Sequence, residues 1–118
     1  MDLLRAKVER IVREVIMEIL ASGEEPSAEN SRGRPLIAAN WKMNHLSEVT
    51  RAFARRLVPP EGADMLICPP AILIPVLREA LSGSPVAIGA QNLHHEPKGA
   101  FTGEHSAAMI KDAGAGYV

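Results

Sequence analysis

Residues 36–44 read LIAANWKMN. Leu36, Ile37, Ala38 and Ala39 form a short apolar run, the length of a buried strand rather than of a helix. The run passes into Asn40, Trp41 and Lys42 with no Gly or Pro to mark a turn. In parallel α/β architectures the C-terminal ends of strands face the ligand site. Asn40 and Lys42 stand two apart at such an end, so an extended backbone would aim both side chains the same way. An amide donor beside a cation suits a phosphate or another oxyanion. A plainer account also fits: Asn40 closes a turn and Lys42 is a solvated surface lysine. The N-x-K spacing alone does not separate the two.

Outward from this strand the chain alternates. Leu46, Val49, Phe53 and Leu57 mark a helix face, with Ser47 as its N-cap. DMLIC (64–68) is a second apolar strand, stopped by Pro69 and Pro70. Val76, Leu77, Ala80 and Leu81 mark a second helix. Pro75 would break it internally but suits its first turn, so the helix is expected to start there. VAIGA (86–90) is a third strand, followed by the loop QNLHHEPKGAFTGEH (91–105). A third helix is expected from about Ser106 to Ala113, with Gly114 just past its end. Gly116, Tyr117 and Val118 begin a fourth strand. Three strand–helix repeats with strands apolar on both faces predict a parallel sheet covered by helices.

Residues 1–20 are of another kind. Leu4, Val8, Ile11, Val15 and Ile19, widened by Val12, Ile16 and Leu20, make one apolar stripe on an amphipathic helix. Its other face is charged and balanced, with Arg5, Lys7, Arg10 and Arg13 against Asp2, Glu9, Glu14 and Glu18. Those charges exclude a secretory signal, and the acids exclude a mitochondrial presequence. The balance also disfavours a basic membrane-surface helix. Residues 21–34 are rich in Gly, Ser and charge and read as a flexible linker. Residues 35–118 are the folded domain.

The whole chain of 118 residues has a formal net charge of -1 and a charged fraction of 23%, which gives no bias towards nucleic acid or membrane. One cysteine, Cys68, excludes an internal disulfide and a cysteine-based zinc site. No apolar stretch is long enough to span a bilayer. His94, His95 and Glu96 are adjacent, but neighbouring side chains on an extended chain point apart and no third spaced ligand follows, so no metal is expected. His45 and His105 flank helix starts and read as polar boundary residues.

Four stretches, IAANWKMN, ICPP, IGAQN and KGAFTGEHS, stand in this order over residues 35–118. Together they closely resemble the N-terminal third of triosephosphate isomerase. KGAFTGE after GAQN is the most specific piece. Ala39 departs from the family pattern, where glycine is common before the Asn, and changes packing rather than chemistry. The resemblance implies an α/β fold, the N-terminal part of a (β/α)8 TIM barrel with three βα units and the start of strand 4. It implies a homodimer that interconverts dihydroxyacetone phosphate and glyceraldehyde 3-phosphate without a cofactor, in the cytoplasm.

The family is itself the type case of a carboxylate base working with a neutral histidine. On its pattern Asn40 and Lys42 bind substrate, and Thr102, at the tip of a protruding loop, makes the dimer contact with Gln91 near it. The catalytic histidine follows the fourth strand in a Gly-His-Ser-Glu-Arg-like stretch, which does not occur among residues 1–118. A complete barrel takes ~250 residues. The expectation is therefore a fragment that carries no acid–base pair and is inactive alone.

Family members usually begin almost directly at the first strand. The helix and linker ahead of it resemble the encapsulation peptides of bacterial microcompartment cargo enzymes, which dock on a shell or cargo protein. A plainer role for that helix is packing on its own barrel or on its copy in the dimer. A second class of function is a non-catalytic interaction protein derived from such an isomerase. A different phosphate-binding α/β enzyme would need a glycine-rich loop after the first strand, and NWKMNHLSE has no glycine.

Overall fold

The structure is a computed structural model that describes Leu3, Ala6, Lys7, Arg10, Ile11, Arg13, Glu14, Met17 and residues 33–118. The chain divides into two compact units, Met1–Gly33 and Arg34–Val118. In the first, the described residues from Leu3 to Met17 are helical and Gly33 lies in a turn. Arg10 Nε lies 3.7 Å from Glu14 Oε1, one turn on, with both side chains exposed. Such a pair contributes ~0.3–0.5 kcal/mol to a helix. Of the expected apolar stripe, Ile11 is described; Leu4, Val8, Val12, Val15, Ile16, Ile19 and Leu20 lie outside the described residues, as do residues 21–32 of the linker.

The second unit is a three-stranded parallel sheet in the order β1-β2-β3. Strand β1 is Leu36–Asn40, β2 is Asp64–Cys68 and β3 is Ala87–Ile88. Leu36 pairs with Asp64 and Asn40 with Cys68, so β1 and β2 end level. Arg34 closes the opposite end, donating from Nε to Asp64 Oδ1 at 3.1 Å and from its terminal nitrogen to Ala63 O at 3.1 Å. Helix α1 (Ser47–Arg56) connects β1 to β2. A 3-10 turn (Ala71–Leu73) runs into α2 (Ile74–Ala80), which connects β2 to β3, and α3 (Ala107–Ala113) follows the long loop. The core centres on Ile67 of β2 with Ile74 and Leu77 of α2, all fully buried, joined by Leu81, Val86, Ile88 and Ile110.

Several expectations change. The third strand is shorter than VAIGA: past Ile88, Gly89 N still donates to Ile67 O of β2 at 2.9 Å, and Gly89 also makes an isolated parallel bridge with Tyr117. Ala90 N donates to Tyr117 O and Gly116 N to Ile88 O, at 2.8 and 2.9 Å, so the expected fourth strand is present as that single bridge. Ser47 is not a cap. Leu46 occupies the N-cap position with extended backbone, and Ser47 is already helical, one residue too late for its hydroxyl to reach a free N–H. Helix α2 begins at Ile74, so Pro75 sits inside its first turn, where its missing N–H costs no helical bond.

The apolar face assigned to α1 is also displaced. Thr50 and Ala54 are the buried residues, while Val49 and Phe53 are 50% and 39% exposed and Leu46 is 76% exposed. The hydroxyl of Thr50 is satisfied at 2.9 Å by Leu46 O, which lets it pack as a small apolar residue against the core. Helix α1 packs chiefly against α2, and β1 itself is exposed at Leu36, Ile37 and Ala38. An edge strand has neighbours on one side, so its flanking residues keep their solvent contact.

At α3 the local rules hold. Ser106 caps the helix, its hydroxyl accepting from Met109 N at 3.2 Å. Gly114 ends it with φ 123, donating to Ile110 O and Lys111 O. A side chain there would also run into the stem of Arg78, which crosses the helix end to donate to Asp112 O at 3.1 Å.

Candidate functional site

The C-terminal ends of the strands carry one connected hydrogen-bond group. Beyond the last paired residues, Trp41 N donates to Cys68 O at 3.0 Å and extends the ladder by one step. The backbone then turns sharply at Lys42, which has φ 56. A non-glycine residue in the left-handed region costs on the order of 1–3 kcal/mol and persists where its surroundings fix it. Two side-chain amides do so. Asn40 Oδ1 accepts from Lys42 N at 2.8 Å, an Asx-type turn. Gln91 Nε2 donates to Lys42 O at 2.8 Å and to Cys68 O at 3.0 Å. At a net ~0.5–1.5 kcal/mol per hydrogen bond, these contacts are of the size needed to offset the strain.

The premise that an extended backbone aligns Asn40 and Lys42 does not hold. Lys42 lies past the strand in a left-handed bend, and a hydrogen bond brings the pair together. Asn40 does close a turn, and its Oδ1 is committed to that task. Among the described residues, neither Asn40 Nδ2 nor Lys42 Nζ takes part in a hydrogen bond or ion pair. The cluster thus presents an amide donor and an ammonium to solvent at one strand end, a donor set suited to an anion.

A third amide at the bend, Asn44, lies outside the sequence expectations. Asn44 Nδ2 donates to Trp41 O at 2.8 Å and holds the far side of the same bend. The signal was available: asparagines at 40 and 44 bracket WKM, and asparagine side chains commonly mimic backbone turns. Trp41 packs edge-on against His45 and Phe53, with ring centroids 4.7 and 5.3 Å away, and anchors the bend on α1. Cys68 lies half-buried under the group. Burial pushes its thiol pKa up, and a backbone hydrogen bond with Gly89 pulls partly the other way. Gly89 has no room for a side chain, since a Cβ there would sit 2.8 Å from Cys68 Sγ.

Thr102 stands apart from this group. Glu104 N donates to Phe101 O at 3.0 Å, which makes Thr102 and Gly103 the central pair of an exposed turn. The loop is pinched at its base, where His94 N donates to His105 O at 2.7 Å. Rings stack along it: His94 lies on Phe101 at 4.1 Å and on His95 at 4.5 Å. The adjacent histidines therefore do not point apart. Glu96 N donates to His94 Nδ1 at 3.1 Å, folding the chain back so that the rings overlap. No group of three His, Cys, Asp or Glu suited to a metal occurs among the described residues.

Neither Asn40 nor Lys42 lines a closed cavity. One cavity of about 520 Å³ lies among Pro75, Arg78, Glu79, Ser82, Asp112 and Ala113, on the helical side. Three strands form one wall of a strand-end site and leave the others open.

A family model described as Triosephosphate isomerase matches residues 35–118. The chain belongs to the triosephosphate isomerase family. It is 45% identical over 89 residues to the triosephosphate isomerase of Carboxydothermus hydrogenoformans, covering 72% of this chain and 36% of that protein. It is 49% identical over 84 residues to that of Acidiphilium cryptum, covering 70% and 33%. The crystal structure of triosephosphate isomerase from Bartonella henselae superposes with a TM-score of 0.63 at 40% identity, covering 70% of this chain and 34% of that one. The chain spans about a third of the length of the triosephosphate isomerases it matches. Its parallel sheet and alternating helices are the N-terminal portion of a TIM barrel.

Proposed function

We propose that residues 35–118 supply the substrate-gripping first third of a triosephosphate isomerase barrel. In this reading Lys42 neutralises the phosphate of the triose and the charge that develops on its enediolate, and Asn40 donates from Nδ2 while its Oδ1 holds the Lys42 turn. The observation that carries the reading is the bend at Lys42, where Asn40 holds the backbone of an exposed lysine at the strand ends. The groups that move the proton belong, by family resemblance, to later strands, so residues 35–118 contribute binding and orientation. Thr102 at its exposed turn is the proposed contact with a second subunit, with Gln91 near the same contact.

A chimera tests this, with residues 35–118 replacing the corresponding third of the Carboxydothermus hydrogenoformans enzyme. It is expected to isomerise glyceraldehyde 3-phosphate. Lys42→Met in that chimera should lower kcat/KM by ~10²–10³, as for loss of one oxyanion-stabilising donor. Unchanged kinetics would remove Lys42 from the substrate grip.

The leader has its own proposed role. Its charge-balanced amphipathic pattern and polar linker support docking of residues 1–20 on a microcompartment shell or cargo protein in the cytoplasm, by a helix-in-groove mode. Residues 1–34 fused to a fluorescent protein should form puncta in a host with microcompartments and stay diffuse in one without. Diffuse signal in both would reject the role.

A further inference from the structure

We infer that Gln91 is a positioning residue for Lys42: its side-chain amide locks the left-handed bend that fixes where the Lys42 ammonium stands. The inference rests on the proposed grip, and the pattern that places Gln91 near a subunit contact does not require it. Both N–H groups of one amide are spent on main-chain carbonyls from two different strand ends, Lys42 O at 2.8 Å and Cys68 O at 3.0 Å. Those carbonyls lie 49 and 23 residues away in sequence, so the amide joins the ends of β1 and β2 to the segment leaving β3. Asn40 holds the N–H side of the Lys42 residue and Gln91 its C=O side. With both held, the bend has one arrangement. With Gln91 gone, the carbonyl can turn to water and φ can relax to a negative value, redirecting the Lys42 side chain.

The bond after Lys42 supplies a direct readout, because Met43 is 94% exposed and trypsin cuts after lysine. In the 118-residue chain, Gln91→Met keeps the length of the side chain and removes both donors. Cutting between Lys42 and Met43 should accelerate about tenfold, while cutting after Arg78 and Lys98 stays at the parent rate. Equal acceleration at all three sites, or none, would overturn the brace. Gln91→Asn, which keeps the amide on a shorter stem, should cut at an intermediate rate and guards against a fold effect of the methionine.

A double-mutant cycle in the chimera then separates positioning from bulk stability. Gln91→Met should lower kcat/KM about tenfold when Lys42 is present and cost nothing further in the Lys42→Met background. Additive losses would assign Gln91 a role independent of Lys42. If Lys42→Met itself is silent, the grip reading falls. If Lys42→Met is costly and Gln91→Met is silent, the brace alone falls.

Discussion

Lys42 combines a backbone that resists its position with a side chain that profits from it. A glycine at φ 56 would relieve the strain and lose the ammonium, whereas alanine would lose the ammonium and keep the strain. Chemical denaturation should therefore place Lys42→Gly about 1 kcal/mol above Lys42→Ala in stability. Equal stabilities would mean that the bend is not held left-handed in solution. Gly89 is the opposite case, a site closed by space. Its missing Cβ leaves room for Cys68 Sγ, so Gly89→Ala should lower the stability of the sheet by ~1–3 kcal/mol through overpacking. The thiol beneath it is held protonated by burial, so at neutral pH Cys68 should alkylate more slowly with iodoacetamide than a free cysteine does. Raising the pH through the ordinary thiol range should stabilise the unfolded chain first. The folded thiol's raised pKa thus contributes stability that is present at neutral pH and fades as the pH climbs.

At the scale of elements, two serines make a controlled comparison. Ser106 caps α3 through Met109 N, whereas Ser47 begins α1 without capping it. Ser106→Ala should cost ~1 kcal/mol in a thermal or denaturant melt, and Ser47→Ala a few tenths at most. The sequence carries the same signal at both, a serine before an apolar-periodic run. What separates them is one residue of register, set by where the chain leaves His45, itself left-handed with φ 77, and no propensity encodes that. The strand–helix alternation was legible because apolar runs and prolines are local signals. The extent of β3 was not, since Gly89 pairs both with Ile67 of β2 and with Tyr117, a partner far along the chain. The same division runs through the site. Asn40 and Lys42 were visible as residue types at a strand end, but the left-handed bend that joins them rests on Gln91, 49 residues away.

On the scale of the molecule, the sheet is unevenly finished. The β2–β3 side is closed by α2 and α3 around Ile67, Ile74 and Leu77. The β1 side leaves Leu36 61% and Ile37 45% exposed, on a strand edge whose outer hydrogen-bonding groups have no partner among the described residues. An apolar, unpaired edge of this kind is a template for another strand. In the family fold that role belongs to the rest of the barrel, so the 118-residue chain in dilute buffer should associate with itself in a concentration-dependent way and bind a hydrophobic dye. Placing charge on the edge, as in Leu36→Lys with Ile37→Lys, should shift sedimentation towards monomer and lower dye binding. The stability of the β2–β3 side should stay unchanged, because neither residue touches its buried centre. Ile67→Ala provides the contrast, since removing a fully buried side chain should cost ~2–5 kcal/mol and increase dye binding. A chain that sediments as a monomer with its native β1 edge would show that this edge is covered in solution, and the double charge variant would then lose stability instead of association.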